Sequence, residues 1–445
     1  MKLILFGDML FSSRNLAKRL DQQLVNKISS ADASFANAEF TTPEADKTVA
    51  AGRGYVTAVR PEALKELENL QVNLVSFANN HSGDFGIAGM KDTLAAAKKH
   101  NLIASGLAPS LDEARLAQFY DTESERVAFI SLTATRADVF KASNAGNGVP
   151  ARVGVNPLRW HEVYQVNEDE FDQIKQISNH LGLTASNAQG RVVEGWSELT
   201  SDQFQFGSLF EKNLLFKRGQ ETKFKTEANQ EDIENLQKSI EDAKKRSDFV
   251  FVDVHTHEGV DGNWYADEPA DFFVDAAHKA IDAGANIVIG HGAHFMRGAE
   301  EYKGKLIFYN LGSLIMEFEA GNSIIPPEMY EAYGLPSNSK PSDLHGKRTF
   351  DADGAFIGFG ADRKFSQNIG VEISIPKNEE PKVKLIPLDL GLNRENPVLR
   401  GLPKIADQQE ALNILNRLNE LSSAFQTSFV LNEEENSIEL ATKSR

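Results

Sequence analysis

No cysteine occurs in the 445 residues. Disulfides, thiolate zinc sites and cysteine nucleophiles are thereby excluded, and any metal must be held by nitrogen and oxygen donors. Such donors suit Mn, Fe, Zn or Mg better than a structural zinc. Positive charge is also scarce: 47 Lys and Arg stand against 64 Asp and Glu, a formal net charge of -17. That surface repels phosphate backbones and anionic lipid, so nucleic acid and membrane surfaces are set aside as partners. A local basic pocket for an anionic small molecule remains compatible with it. No apolar run is long enough to span a bilayer, so no integral membrane segment is expected. The opening MKLILFGDML meets Asp8 too early for a secretory signal, and a cytoplasmic location is the default expectation.

What the chain does have is a repeating alternation. KLILFG (2–7), ASFANAEF (33–40), VNLVSFANNH (72–81), RVAFISLTAT (126–135), DFVFVDVHTHEG (248–259), NIVIGHGAH and KLIFYNLGS are short apolar runs with polar tips. Between most of them lie stretches with helical spacing, such as GIAGMKDTLAAAKKHN and PADFFVDAAHKAIDAGA. Strand, polar tip and helix in succession predict an α/β fold, with a mainly parallel sheet flanked by helices. The alternation fails over 136–229 and again over 316–366, which read as loop-rich insertions, the first a cap. NIGVEISI and KVKLIPLDL predict a closing hairpin, and QQEALNILNRLNELSSAF a helix. The resulting plan is a domain from 1–135 and 230–400, interrupted by the insertions, with a C-terminal helical extension over 401–445.

Candidate ligands cluster at the strand ends. Asp8 ends the first run, Asn37 and Glu39 the second, and Asn79, Asn80 and His81 the third. His255 and His257 follow FVFVDV, and His291 and His294 follow NIVIG. In an open parallel sheet the carboxyl ends of the strands share one edge, where ligands bind. One His pair in a Gly-rich turn carries little weight; five strand ends with this chemistry carry a good deal more. Two carboxylates and several imidazoles in one cleft would shift each other's pKa unless cations sat among them. One or two divalent ions, about 3.5–4 Å apart where there are two, would bind such an array and activate water. Asp8 and a bridging Glu39, the Asn80 amide oxygen, and His255, His291 and His294 are the expected ligands.

FGDMLFS, FANAEF, FANNHSGDFG, VHTHEG and AGANIVIGHGAHFMRGAEEYKGKLIFYNLGS, in this order, resemble the poly-γ-glutamate capsule-biosynthesis proteins of the CapA type. That family is related to the calcineurin-like metallophosphoesterases. The resemblance covers about residues 1–135 and 245–315, and RVGVNPLRW lies between the same motifs. It implies a metallophosphoesterase-like layered fold, with Asp8 on one metal and Glu39 in the bridging place usually held by Asp. It further implies Asn80 and His255 on the second metal, His291 and His294 one on each, and His81 facing the substrate as acid or oxyanion stabiliser. Two departures stand out. Leu10 occupies a position where metallophosphoesterases place His, and two residues, Gly292 and Ala293, separate the closing histidines instead of one. His257 could compensate as a ligand or face the substrate as a catalytic group.

Other residues have two readings each. Asp84 could orient His81 or cap the helix that follows. Asn37 could be a turn former. Glu258, beside His257, could be a general base or a solvated loop acid, the latter being the favoured reading. Arg53, Arg136, Arg152 and Arg297 could clamp a substrate anion or form surface ion pairs. Ser12 and Ser13 lack an assigned base. The function implied is a metal-dependent hydrolase acting on a γ-glutamyl amide or a phosphoester, an anionic small molecule or polyglutamyl substrate. The alternative is a non-catalytic factor in capsule-polymer biosynthesis or export. Specificity is expected from the two insertions, because loops at a ligand edge shape its pocket.

Overall fold

In the computed structural model the described residues are 1–207, 213–317, 322–375 and 381–441. Residues 318–321 of the second insertion and 442–445 of the C-terminal extension lie outside them. β1 (Lys2–Leu10) is buried at every position after the first, as its unbroken apolar run requires. It runs parallel to β2 (Ala33–Ala38), which is followed by β3 (Leu74–Ser76) and β4 (Ile103–Ser105), also parallel. On its other side β1 pairs in parallel with Ser313–Met316 and antiparallel with Gln367–Ser374. The latter strand and Lys382–Asp389 form the expected antiparallel pair, and the sheet grows to ten strands.

A second sheet of six strands faces the first. Arg126–Thr133, Phe249–Thr256, Ile287–Gly292 and Lys305–Phe308 are parallel, with antiparallel strands at both edges. Period-two alternation divides the side chains between the layers. Leu3, Leu5, Phe35 and Leu74 point inward and meet Phe129, Phe251 and Ile289 of the opposite sheet. The Phe35 ring sits edge-on to Phe129 and Phe251, at 5.9 and 5.1 Å. Ile4, Phe6 and Phe77 point outward beneath helix residues Leu16, Leu24 and Leu67. Val252 and Val288 are covered by Leu236, Ile240 and Phe273 from helices Gln230–Lys244 and Asp271–Ala283. The order of layers is helix, sheet, sheet, helix.

This corrects the expectation of one shared sheet edge. A doubly buried strand reads the same whichever sheet it joins, so its pattern could not assign it. The two loop-rich readings also change. Residues 136–229 contain a four-stranded sheet centred on Trp160–Val166, with helices Glu168–His180 and Leu183–Glu194 and a core that includes Phe171 and Phe204. Residues 316–366 contain short helices Pro327–Ala332 and Pro341–Thr349. Residues 401–445 supply more than the helix Gln408–Ser422: the hairpin Phe429–Asn432 and Ser437–Leu440 extends the large sheet. Among the described residues no helix is long and apolar enough to cross a membrane.

Candidate metal centre

The two sheets meet at the carboxyl ends of their parallel strands, and the imidazoles of one face the carboxylates of the other. β1 changes register around Asp8 against both of its parallel neighbours, an irregularity of the kind that re-aims a side chain. Gly7 permits it: a Cβ there would lie 1.9 Å from the Gly312 carbonyl oxygen. Asp8 is fully buried. Its Oδ1 accepts from Asn37 Nδ2 at 2.9 Å and its Oδ2 from the Gly292 amide at 2.8 Å. His291 Nδ1 stands 3.1 Å from Oδ1, and His294 Nδ1 stands 3.3 Å from Oδ2. Burial alone would raise this carboxyl, but hydrogen bonds from His255, His291 and His294 outweigh it and hold it well below the usual range.

Glu39 is different. It is fully buried, and neither carboxylate oxygen has a hydrogen-bond partner. Its Oε1 lies 3.6 Å from His257 Nε2, 3.8 Å from His255 Nε2 and 3.9 Å from His81 Nε2, and its Oε2 lies 3.6 Å from His294 Nδ1. All four are too long for hydrogen bonds. Ligand atoms about 2.0–2.2 Å from one tetrahedral ion sit about 3.4 Å from each other, close to this spacing. Burial first, then the charges of Asp8 and Asp84, push the Glu39 carboxyl well above its ordinary range. His257 Nε2 is likewise buried without a partner. Ligand atoms fall into two groups, Asp8–His255–His291 and Glu39–His257–His294, each within 4.8 Å of one another. The donor set therefore fits divalent cations, which would neutralise the carboxylates and take the open nitrogen positions.

His255 and His291 are direct partners on adjacent parallel strands, which brings their rings within 5.3 Å. The two-residue gap to His294 is bridged by unusual backbone. Gly292 has φ +113 and His294 has φ 66. Left-handed backbone at a non-glycine residue is strained and tends to occur at functional sites. The reversal puts His291 in the Asp8 group and His294 in the Glu39 group. Asn80 Oδ1 lies 2.9 Å from His255 Nε2. Leu10 is a buried core residue, while His257 joins the second group and stacks on Trp264 with ring centroids 4.5 Å apart.

Behind this cluster, His81 Nδ1 is 2.7 Å from Asp84 Oδ2. Arg53 Nε donates to Asp84 Oδ1 at 2.8 Å and the Thr57 amide to Oδ2 at 2.7 Å. Asp84 therefore orients His81; the helix Gly86–Lys99 starts at Phe85 without a side-chain cap. Asn37 links Asp8 to Asn79, from which it accepts at 3.1 Å. Two further expectations are corrected by burial. Glu258 is buried and accepts from Thr135 Oγ1 at 2.7 Å and Thr256 Oγ1 at 2.8 Å, so it is no solvated acid. Arg297 is fully buried and donates to the carbonyls of His257, Glu258, Trp264 and Ala266, so it is a loop staple and not an anion clamp. Arg152 donates to the Lys141 carbonyl. Arg136, exposed, lines a separate cavity with Glu258 and Trp160. Ser13 receives a hydrogen bond from Arg19, next to Glu317.

The sequence reading missed Asp253. Its Oδ1 lies 3.1 Å from His291 Nε2, and Ser131 Oγ donates to its Oδ2 at 2.5 Å. A carboxylate on the far nitrogen fixes the ring of a ligating His and raises its basicity. The available signal was an acid in the middle of an apolar strand, FVFVDV. Asp253→Asn is expected to weaken metal affinity about 10–100-fold, measured by competition with a chromophoric chelator; unchanged affinity would remove Asp253 from the site.

Protonation gives a further expectation. Burial would lower His291, but hydrogen bonds to Asp253 and Asp8 raise it to about 9. Its stabilising contribution to the metal-free protein is therefore complete below about 6.5, the unfolded value, and is lost as pH rises through about 9. Glu39 has the same sign. His255 has the opposite sign: burial lowers it to about 4, so its contribution is present above about 6.5 and fades as pH falls to about 4. Between pH 7 and 9.5 the Tm of metal-free protein should fall while metal affinity rises, since binding displaces protons. Affinity that is flat with pH would contradict the protonated state of His291.

The family described as "Bacterial capsule synthesis protein PGA_cap" matches residues 2–317, more than half of the chain. The chain belongs to this family. Within the match lie both ligand groups and the His81–Asp84 pair. Over 422 residues the chain is 27% identical to the uncharacterized protein y4sH of Sinorhizobium fredii, covering 92% of this chain and 86% of that one. It is 25% identical over 290 residues to the PGA biosynthesis protein CapA of Bacillus subtilis, covering 64% of this chain and 54% of the relative. A similar solved structure is that of a hypothetical protein from Thermus thermophilus, at 14% identity and TM-score 0.38, covering 86% of this chain and 98% of that one.

Proposed function

We propose that this chain is a metal-dependent hydrolase of the CapA type, with a metallophosphoesterase-like fold, acting on an anionic γ-glutamyl amide or phosphoester. One observation supports it above the rest: Glu39, buried with both oxygens unpartnered and ringed by four imidazoles at 3.6–3.9 Å. Asp8, His255 and His291 would hold one divalent ion, and Glu39, His257 and His294 a second, with Asn80 beside His255. When bound, such ions supply Lewis-acid stabilisation of charge developing on an acyl or phosphoryl oxygen. Asp84 fixes His81 Nδ1 as the protonated nitrogen, which leaves His81 Nε2 to give or take a proton in the cleft. Asp253 orients His291, and Trp264 shields one face of His257.

The second reading is a non-catalytic role in capsule-polymer biosynthesis or export, which family membership favours. Metal analysis of protein purified without chelator separates the two, followed by assays on γ-glutamyl peptides and aryl phosphates after adding Mn, Zn or Fe. Bound metal with turnover supports the hydrolase. Protein that takes up none of these metals and turns over neither substrate leaves only the second reading.

A further inference from the structure

Beside the metal centre, mainly the second insertion walls a cavity of about 610 Å³. Its cations are Lys347, Arg348, Lys364 and Arg400, against the lone carboxylate Asp362 among the described residues. In a chain of net charge -17, such a local excess of positive charge attracts an anion. Its walls are also aromatic, with Tyr265, Tyr333 and Phe359 among them.

Contacts tie this cavity to three of the four imidazoles around Glu39. The Phe359 ring lies edge-on to His294 at 5.8 Å. Arg348 donates to Tyr55 Oη at 2.6 Å, its guanidinium sits 4.7 Å from that ring's centroid, and Tyr55 in turn meets His81 edge-on at 5.9 Å. Trp264, next to Tyr265, stacks on His257.

We propose that this cavity is the substrate pocket of the metal centre and takes an organic anion with a planar, apolar body. Tyr333 and Phe359 hold the body, and Lys347, Arg348 and Lys364 hold the charge. The inference rests on the hydrolase reading and narrows its substrate class. The volume suits a ligand of drug or nucleotide size, and flat aromatic walls favour stacking over extended chains. A polyglutamyl strand, with a charge on every residue, needs cations spaced along an open groove; here they ring one aromatic-walled chamber.

The test is calorimetric titration of the full-length protein, with and without Mn(II). The probes are phenyl phosphate, N-acetyl-γ-glutamyl anilide, inorganic phosphate and γ-triglutamate. At least one aryl anion should bind about tenfold or more tighter than inorganic phosphate and γ-triglutamate, and which one does so identifies a phosphoryl or a glutamyl substrate. Phe359→Ala and Lys347→Glu, neither at a fully buried position, should each weaken aryl-anion binding about tenfold and leave the Mn-induced Tm shift intact. Tightest binding of γ-triglutamate, or parental affinity in both variants, overturns the pocket assignment. Aryl-anion preference in protein that takes up none of Mn, Zn or Fe refutes the hydrolase reading and leaves only an anion-binding cavity; metal uptake without that preference refutes the pocket alone.

Discussion

Glu39→Gln is expected to abolish metal-induced stabilisation while leaving the metal-free protein as stable as the parent, or more so. Gln keeps the shape and removes a buried carboxyl whose two oxygens have no partner. Without a cation that carboxyl is a liability, because burial and the nearby Asp8 and Asp84 resist its ionisation. With a cation it is a carboxylate standing 3.6–3.9 Å from four imidazoles. A ligand present at 100 times its Kd stabilises by about 2.7 kcal/mol, and the Gln variant should lose most of that increment. Thermal melts with and without Mn(II) or Zn(II) measure both halves. A Gln variant that keeps the parental metal shift, or melts far below the parent without metal, would show that Glu39 is a structural residue.

Arg297→Met should have the largest effect on stability, about 3–5 kcal/mol in urea unfolding of metal-free protein. The guanidinium is fully buried and donates to the carbonyls of His257 and Glu258 at 2.8 Å, Ala266 at 3.1 Å and Trp264 at 3.3 Å. Burial draws it down to about 10, opposed by the charges of Glu258 and Asp267, so it remains charged at neutral pH. Met fills much of the volume but leaves four carbonyls facing it without a donor, and unsatisfied buried groups are costly. The same loop carries His257 and Trp264, so metal affinity should fall along with stability. A loss below about 1 kcal/mol, the range of an exposed ion pair, would refute the staple.

Part of this was legible in the chain itself. Unbroken apolar runs such as KLILF and FVFV announced strands buried on both faces, and the polar residues that followed marked where a ligand would sit. The role of Asp84 was left open between capping and orienting, and only the 2.7 Å approach of His81 Nδ1 decides for orienting. Glu258 and Arg297 were misread for a common reason: charged residues in loops are usually exposed, and nothing local says when a loop folds inward over them. Asp253 was passed over because the partner that explains it lies 38 residues away, on the neighbouring strand.

By itself the sequence determined the donor chemistry and the α/β class: nitrogen and oxygen ligands only, because cysteine is absent, carried on strand tips because hydrophobic periodicity ends there. Tertiary structure decided how those donors divide. Two facing sheets, and not the edge of one, bring Asp8 to His291 and Glu39 to His294, with left-handed backbone at His294 turning the second ring toward its carboxylate. Periodicity records whether a side chain is buried. Which distant side chain it meets depends on sheet pairing, a long-range choice that no local pattern encodes.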